Sequence, residues 1–359
     1  MSYTNGLDNP ELYFQVKLWE GQASSQGDGT TTAITFDGSE NMQPDIIWIK
    51  DRDASSWHDL TDATRGVTKS IYPSEYDQED TVTTAVTAIG SDGFTVGSND
   101  QVNNGGNSFV AWCWKANGAG SADTNGSVNS TKTSANTTSG VSIVDFDLNG
   151  ESGKETVGHG LGVAPDFIFA KTKYNGGNGI WWVYHKSLTS ADYYLDLAAD
   201  SAQASDTQAW DDAPTSSVFT VGSASGWGTY KAVAYCFAEK QGFSKFGSYK
   251  GNGNADGTFI YTGFRPALVI AKRTDSTANW YMMTAKISDS GGGNPLDRPL
   301  FANDTQAEND GDNNVDLLSN GFKIRGSGTA QNGSGATYIY MAFAEQPFVN
   351  SNGVPCNAR

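Results

Sequence analysis

Three histidines, three cysteines and 40 acidic residues are the raw material for chemistry in this chain of 359 residues. His58, His159 and His185 sit in unrelated contexts, and Cys113, Cys236 and Cys356 are scattered singly. Neither zinc spacing nor a disulfide framework can be read from them, which leaves at most one assembled site, around His185. "NGESGKET", Asn149 to Thr156, has the composition of a phosphate loop. Its first glycine stands too close to Gly153-Lys154, however, and Glu155 occupies the position that needs Ser or Thr. "NDGDNNVD", Asn309 to Asp316, has the acidic and amide density of a calcium loop but lacks the EF-hand glycine position and the distal glutamate, and reads as a surface turn. The acidic loops "KDRDAS" and "SEYDQED" are of the same kind. No cofactor is expected, and calcium has only these loops in its favour.

Aromatic side chains offer non-covalent chemistry, because indole and phenol rings stack on the apolar faces of sugars. The densest cluster is "WWVYHK", from which Trp181, Tyr184 and His185 are the candidate glycan contacts. Trp182 lines up with Trp57 and Trp280 and reads as core; alternation then turns Trp181 to the opposite face. Trp112 and Trp114, alternating in "FVAWCWKA", also read as core.

The elements that must position these residues come from a repeat. "PDIIWIK" at Pro44, "PDFIFAK" at Pro165 and "PALVIAK" at Pro266 are followed by "SDGFTVGS", "SSVFTVGS" and "SNGFKIRG", then by "FVAWCWKANG", "AVAYCFAEKQ" and "YIYMAFAEQP". Pro165 and Pro266 stand 101 residues apart, Phe219 and Phe322 stand 103, and Cys236 and Ala342 stand 106. From the first copy to the second the same markers give 121, 125 and 123 residues. The excess is the polar stretch Ala116 to Gly140, expected to be a flexible linker or extended connector. Each copy opens with a strand-like run ("YFQVKLWEG", "VSIVDFDLNG", "FSKFGSYKGNG") and a second strand ("TTAITF", "KETVGH", "GTFIYT"). "ELYFQ" near the N-terminus thus belongs to a native strand.

The proline of the repeated phrase suits a strand's first position, and the unbroken apolar run predicts a strand covered on both faces. The lysine is expected to bring the chain back to water. About seven strands per copy predicts an all-β protein of three tandem β-sandwiches, jelly-roll or concanavalin-like. The expected boundaries are 1–115, a linker at 116–140, 141–240, 241–346 and a tail at 347–359. Since Asp45 and Asp166 align with Ala267, no carboxylate pair of the glycosidase kind recurs in all three copies, and the chain reads as non-enzymatic.

The 42 glycines, the 12% of aromatic and the 18% of charged residues fit many short strands and turns. The net charge of −17 repels phosphate backbones, so no nucleic-acid partner is expected. No apolar run is long enough to span a membrane, and the opening "MSYTNGLDNPELYF" has neither the basic nor the apolar region of a signal peptide.

"YFQVKLWEG", "ITFDGSENMQPDIIWIKDRDAS", "DGFTVGSNDQVNNGGNSFVAWCWKANG", "TVGHGLGVAPDFIFAK", "FGSYKGNGNADGTFIYTGFRPALVIAKR" and "YIYMAFAEQPF" together resemble virion proteins of marine tailed bacteriophages, described as tail-fibre or structural proteins with a lectin-like β-sandwich. The resemblance covers nearly the whole chain. It implies a virion location, other tail or capsid proteins as partners, a host surface glycan or receptor as target, and a homo-oligomer, expected as a trimer. It implies no catalytic residues. Two other roles remain open: a capsid head-fibre, decoration, cement or connector protein, and a glycan depolymerase.

Overall fold

The computed structural model describes residues 7–149, 153–173, 179–222, 227, 231–288, 293–308 and 315–347. The described residues form an all-β protein. Three large antiparallel sheets repeat one strand order, in which a module's opening strand pairs with its last, the last with the phrase strand, and the phrase strand with the next in sequence. In module one these are Phe14–Glu20, Ser108–Trp114, Ile46–Asp51 and Asp59–Asp62; in module two Val141–Asp147, Lys231–Phe237, Phe167–Thr172 and Trp181–His185. In module three they are Ser244–Lys250, Thr337–Pro347, Phe264–Arg273 and Tyr281–Thr284. A smaller sheet lies on each, begun by Thr32–Thr35, Glu155–Gly158 and Phe259–Tyr261.

Packing follows from the consecutive apolar runs. On its outer face each large sheet meets its own small sheet, giving three private cores around Phe94, Phe219 and Phe322. On the inner face all three large sheets share one core that holds Trp48, Phe169 and Ile270 of the phrase strands. Trp114, Phe237 and Phe343 occupy matching positions on the three last strands, opposite Ile46, Phe167 and Leu268. Their rings meet pairwise, with centroids 6.1 Å apart for Trp114–Phe237, 5.4 Å for Trp114–Phe343 and 5.8 Å for Phe237–Phe343. The sandwiches therefore close into a ring about an approximate threefold axis instead of following one another as separate beads.

Three sequence expectations change. Within the polar stretch 116–140, Ser130–Asn136 is a strand paired with Val141–Asp147 at the sheet edge, across a turn where Gly140 takes φ 73°. An edge strand needs ladder hydrogen bonds more than apolar side chains, so its composition gave no sign of it. Pro44 and Pro165 precede their strands, but Pro266 lies inside Phe264–Arg273 at a shift of register, where a missing N–H is tolerated. The lysines of the phrase do not return to water. Lys50 and Lys171 are 0% exposed and Lys272 is 1% exposed.

Phe343 touches the rings of Phe14, Trp114, Phe237, Phe243 and Phe246. Phe343→Ala should lower the unfolding free energy by about 3–5 kcal/mol, read from urea denaturation. A loss below about 1 kcal/mol would mean that the shared core is not packed this way.

Candidate functional site

Alternation along the phrase strand puts Lys50, Lys171 and Lys272 on the same face as Trp48, Phe169 and Ile270, at one end of the shared core. Each buried ammonium is satisfied by backbone carbonyls. Lys171 Nζ donates to Glu75 O of module one at 2.7 Å, and Lys272 Nζ to Asp200 O of module two at 3.1 Å and to Arg273 O at 2.7 Å. Lys50 Nζ donates to Ala54 O at 3.0 Å and to Asp51 O. Burial lowers all three from the ordinary lysine value, Lys171 to about 7 and Lys50 and Lys272 to about 8, while neighbouring carboxylates such as Asp196 and Asp304 oppose the shift.

The same end carries a cyclic set of ties. Trp181 Nε1 of module two donates to Tyr72 O of module one, and Trp280 Nε1 of module three to Asp196 O of module two, both at 2.9 Å. His58 Nε2 of module one closes the circle onto Asp304 O of module three at 3.2 Å. Backbone bonds run alongside: Glu79 N donates to Lys173 O, Gln203 N to Thr274 O and Glu308 N to Arg52 O, at 2.9, 2.9 and 2.7 Å.

At the other end of these strands a second circle joins the same three pairs of modules, with His185 alone donating in the opposite sense. Tyr235 Oη donates to Asp62 Oδ2 at 2.7 Å, Trp112 Nε1 to Thr284 Oγ1 at 2.9 Å, and His185 Nε2 to Tyr340 O at 3.3 Å. Arg65 completes the first seam through Asp62, Glu79 and Tyr235, its guanidinium held charged beside them against the cost of burial.

The expected glycan contacts thus lie inside the molecule. Trp181 is 0% exposed in the shared core, Tyr184 is 7% exposed against Trp210 in the private core of module two, and His185 is 1% exposed in the second circle. Registers explain the error. Asp59, Trp182 and Tyr281 stand opposite Ile49, Ala170 and Ala271, so Trp181 matches His58 and Trp280, two residues away from the alignment drawn from sequence in module one and one residue away in module three. Alternation did turn Trp181 to the other face, but that face is core as well. Trp112 and Trp114 are buried in the shared core as expected.

Both ring nitrogens of every histidine are engaged. Nε2 donates to a carbonyl, while Nδ1 accepts from Trp48 Nε1 in His58, from the Leu161 amide in His159 and from the Ser187 amide in His185. Burial pushes His58 and His185 down to about 3 and lowers His159, which keeps them neutral. Cys113 and Cys236 are buried free thiols, raised by burial, and Cys356 lies outside the described residues. Of the loops read for phosphate and calcium, residues 150–152 and 309–314 lie outside the described residues; among the described residues no three His, Cys, Asp or Glu gather to hold a metal.

A small pocket opens at the seam of modules one and three and is lined by Glu11, Phe14, Ala267, Lys286 and Glu345 among others. Its carboxylates are already bonded, Glu11 by the Ser39 amide and hydroxyl and Glu345 by Arg265. Sequence reasoning missed the burial of the three lysines, two of which, Lys171 and Lys272, tie neighbouring modules, although their return at one position of a repeated phrase was the available signal. It also missed two aromatics on the surface of module three, Phe259 at 43% and Tyr261 at 60% exposure.

Fold and seams together define an all-β protein whose buried polar chemistry binds its own parts. The chain belongs to the family described as Domain of unknown function (DUF7483), whose match runs over residues 9–347 and so takes in all three sandwiches as one unit. Comparison with curated proteins finds no match.

A lysine lowered in the fold binds fewer protons than in the unfolded chain, so stability rises as pH climbs through the folded value toward about 10.4. The three lysines should therefore raise the unfolding free energy from pH 7 to pH 8.5, against a smaller opposing contribution from the buried thiols Cys113 and Cys236, which begin to ionise in the unfolded chain over the same range. In Lys171→Met that increase should shrink by roughly 1.5 kcal/mol, whatever the variant's absolute stability. Parallel curves for variant and parent would show that Lys171 keeps its ordinary proton affinity.

Proposed function

We propose that the chain is a structural protein of a bacteriophage virion, a tail fibre or adhesin that contacts the host surface without covalent chemistry. One observation carries this reading most directly. Three sandwiches close on a single aromatic core, so the chain is a stiff block whose loops and small sheets face outward. The polar groups that could have formed an acid–base site, Asp62, Arg65, His58 and His185 among them, are tied within the seams. The resemblance to phage virion proteins and the acidic surface, with a net charge of −17, agree with an extracellular particle component.

The approximate threefold arrangement also suits a capsid decoration or cement protein, which would sit where capsid subunits meet in threes. Since one chain already closes the shared core, the homotrimer expected from the resemblance would have to assemble through outer surfaces.

Immunogold labelling of the particles whose genome encodes the chain should place it on tail fibres, and the purified protein should bind host cells in sedimentation assays. Label confined to the capsid, with no cell binding, would favour decoration. Reducing ends released from host polysaccharide would replace both readings with a depolymerase.

A further inference from the structure

We propose that Phe259 and Tyr261 form a glycan-binding platform on the outer face of module three; this deepens, and rests on, the host-contact reading. Among the described residues the large apolar side chains most open to solvent are Tyr76, Val163, Phe259 and Tyr261. Tyr76 donates its hydroxyl to Asp196 and belongs to a seam. Phe259 and Tyr261 instead share one three-residue edge strand, with buried Ile260 between them. Residues two apart on a strand point to one face about 7 Å apart, so the rings stand side by side.

The fold does not require them. Ile34, Val157 and Ile260 pair with Phe94, Phe219 and Phe322 and are equivalent. The flanking positions on the same face are Ala33 and Thr35 in module one, both exposed, and Thr156 and Gly158 in module two, where Asp123 covers Gly158; only module three places exposed aromatic rings there. Exposed rings of this size are otherwise a liability on a surface edge.

The surroundings suit a sugar. Gly321 lies opposite Tyr261; a Cβ there would meet Ile260 O at 2.1 Å, and the Phe259 ring lies beside the same bare position, its Cε2 3.1 Å away. Beside the rings, Lys323 pairs with Asp256, and Asp316, opposite Lys323, stands 3.5 Å from the Arg325 guanidinium. The loop carrying Asp256 is built rather than loose. Asn332 Nδ2 donates to Asn252 Oδ1 and Asn254 O, and the Asp256 amide donates to Asn254 Oδ1. Flat rings for the C–H face of a pyranose, next to fixed donors and acceptors for its hydroxyls, are the two halves of carbohydrate recognition. A second copy of the chain fits less well. Two rings offer far less than the roughly 800 Å² per partner of a stable protein interface, and a net charge of −17 opposes self-association.

The test uses the full chain and the double variant Phe259→Ala/Tyr261→Ala, with thermal unfolding as a fold control. The probes are whole host cells and the polysaccharide extracted from their envelope, with and without periodate oxidation. Parent protein should bind both, periodate should abolish binding, and the variant should bind at least about tenfold more weakly at an unchanged melting temperature. If parent and variant bind equally, the platform is wrong and host contact survives. Binding lost on protease treatment of the cells but kept after periodate would replace the glycan by a protein receptor, and absence of any binding by the parent would overturn platform and host contact together.

Discussion

The rest of the structure depends on three rings meeting at one axis. Trp114, Phe237 and Phe343 project from the last strands of three sheets, and their pairwise contacts give each sheet a second buried face. A sheet buried on one side alternates apolar with polar residues, whereas a sheet buried on both sides can carry an unbroken apolar run. "IIWI", "FIFA" and "LVIA" are such runs, and odd and even positions separate cleanly between the shared and the private cores. Were the rings to part, each sheet would expose a broad apolar face, so a module cut off from its neighbours lacks half of what buries its central strand.

An apolar core alone would let the sheets slide against one another. The seams prevent this with directional groups at both ends of the axis. A buried polar atom left without a partner costs about 1–3 kcal/mol, so a shifted ring would forfeit several such terms together. Trp181, Trp280 and His58 reach backward to the preceding module at one end, and Tyr235 and Trp112 do so at the other. Lys171 and Lys272 add a charged version of the device, while Lys50 bonds within its own module, and the cost of burying all three shows in their depressed proton affinity.

Much of the fold was legible. Offsets near 100 residues among the phrases located the repeating strands, and consecutive apolar residues implied strands with two covered faces. What covers the inner face was not legible, because a core shared by modules looks in sequence like a core within one. That ambiguity misplaced Trp181: moving one residue along a strand changes its face, and here neither face meets water. The lysines were read by their usual surface habit, although three lysines at one position of a buried phrase already called for three buried acceptors. Ser130–Asn136 escaped notice for the opposite reason, being an edge strand with little apolar content. At the surface, "GTFIYT" was read for its strand, while its flanking aromatics carried information only once the registers showed Ala33, Thr35, Thr156 and Gly158 at the matching places.

Under the proposed virion role, a ring that displays three unlike outer faces could hold its place in a particle through two of them while a third varies. Such a division needs the ring to behave as one body, and residue-resolved hydrogen exchange tests this most directly. The slowest amides of Ser108–Trp114, Lys231–Phe237 and Thr337–Pro347 are predicted to exchange through one common opening, with a single free energy equal to that of global unfolding. Three distinct opening free energies, one for each last strand, would contradict the shared core.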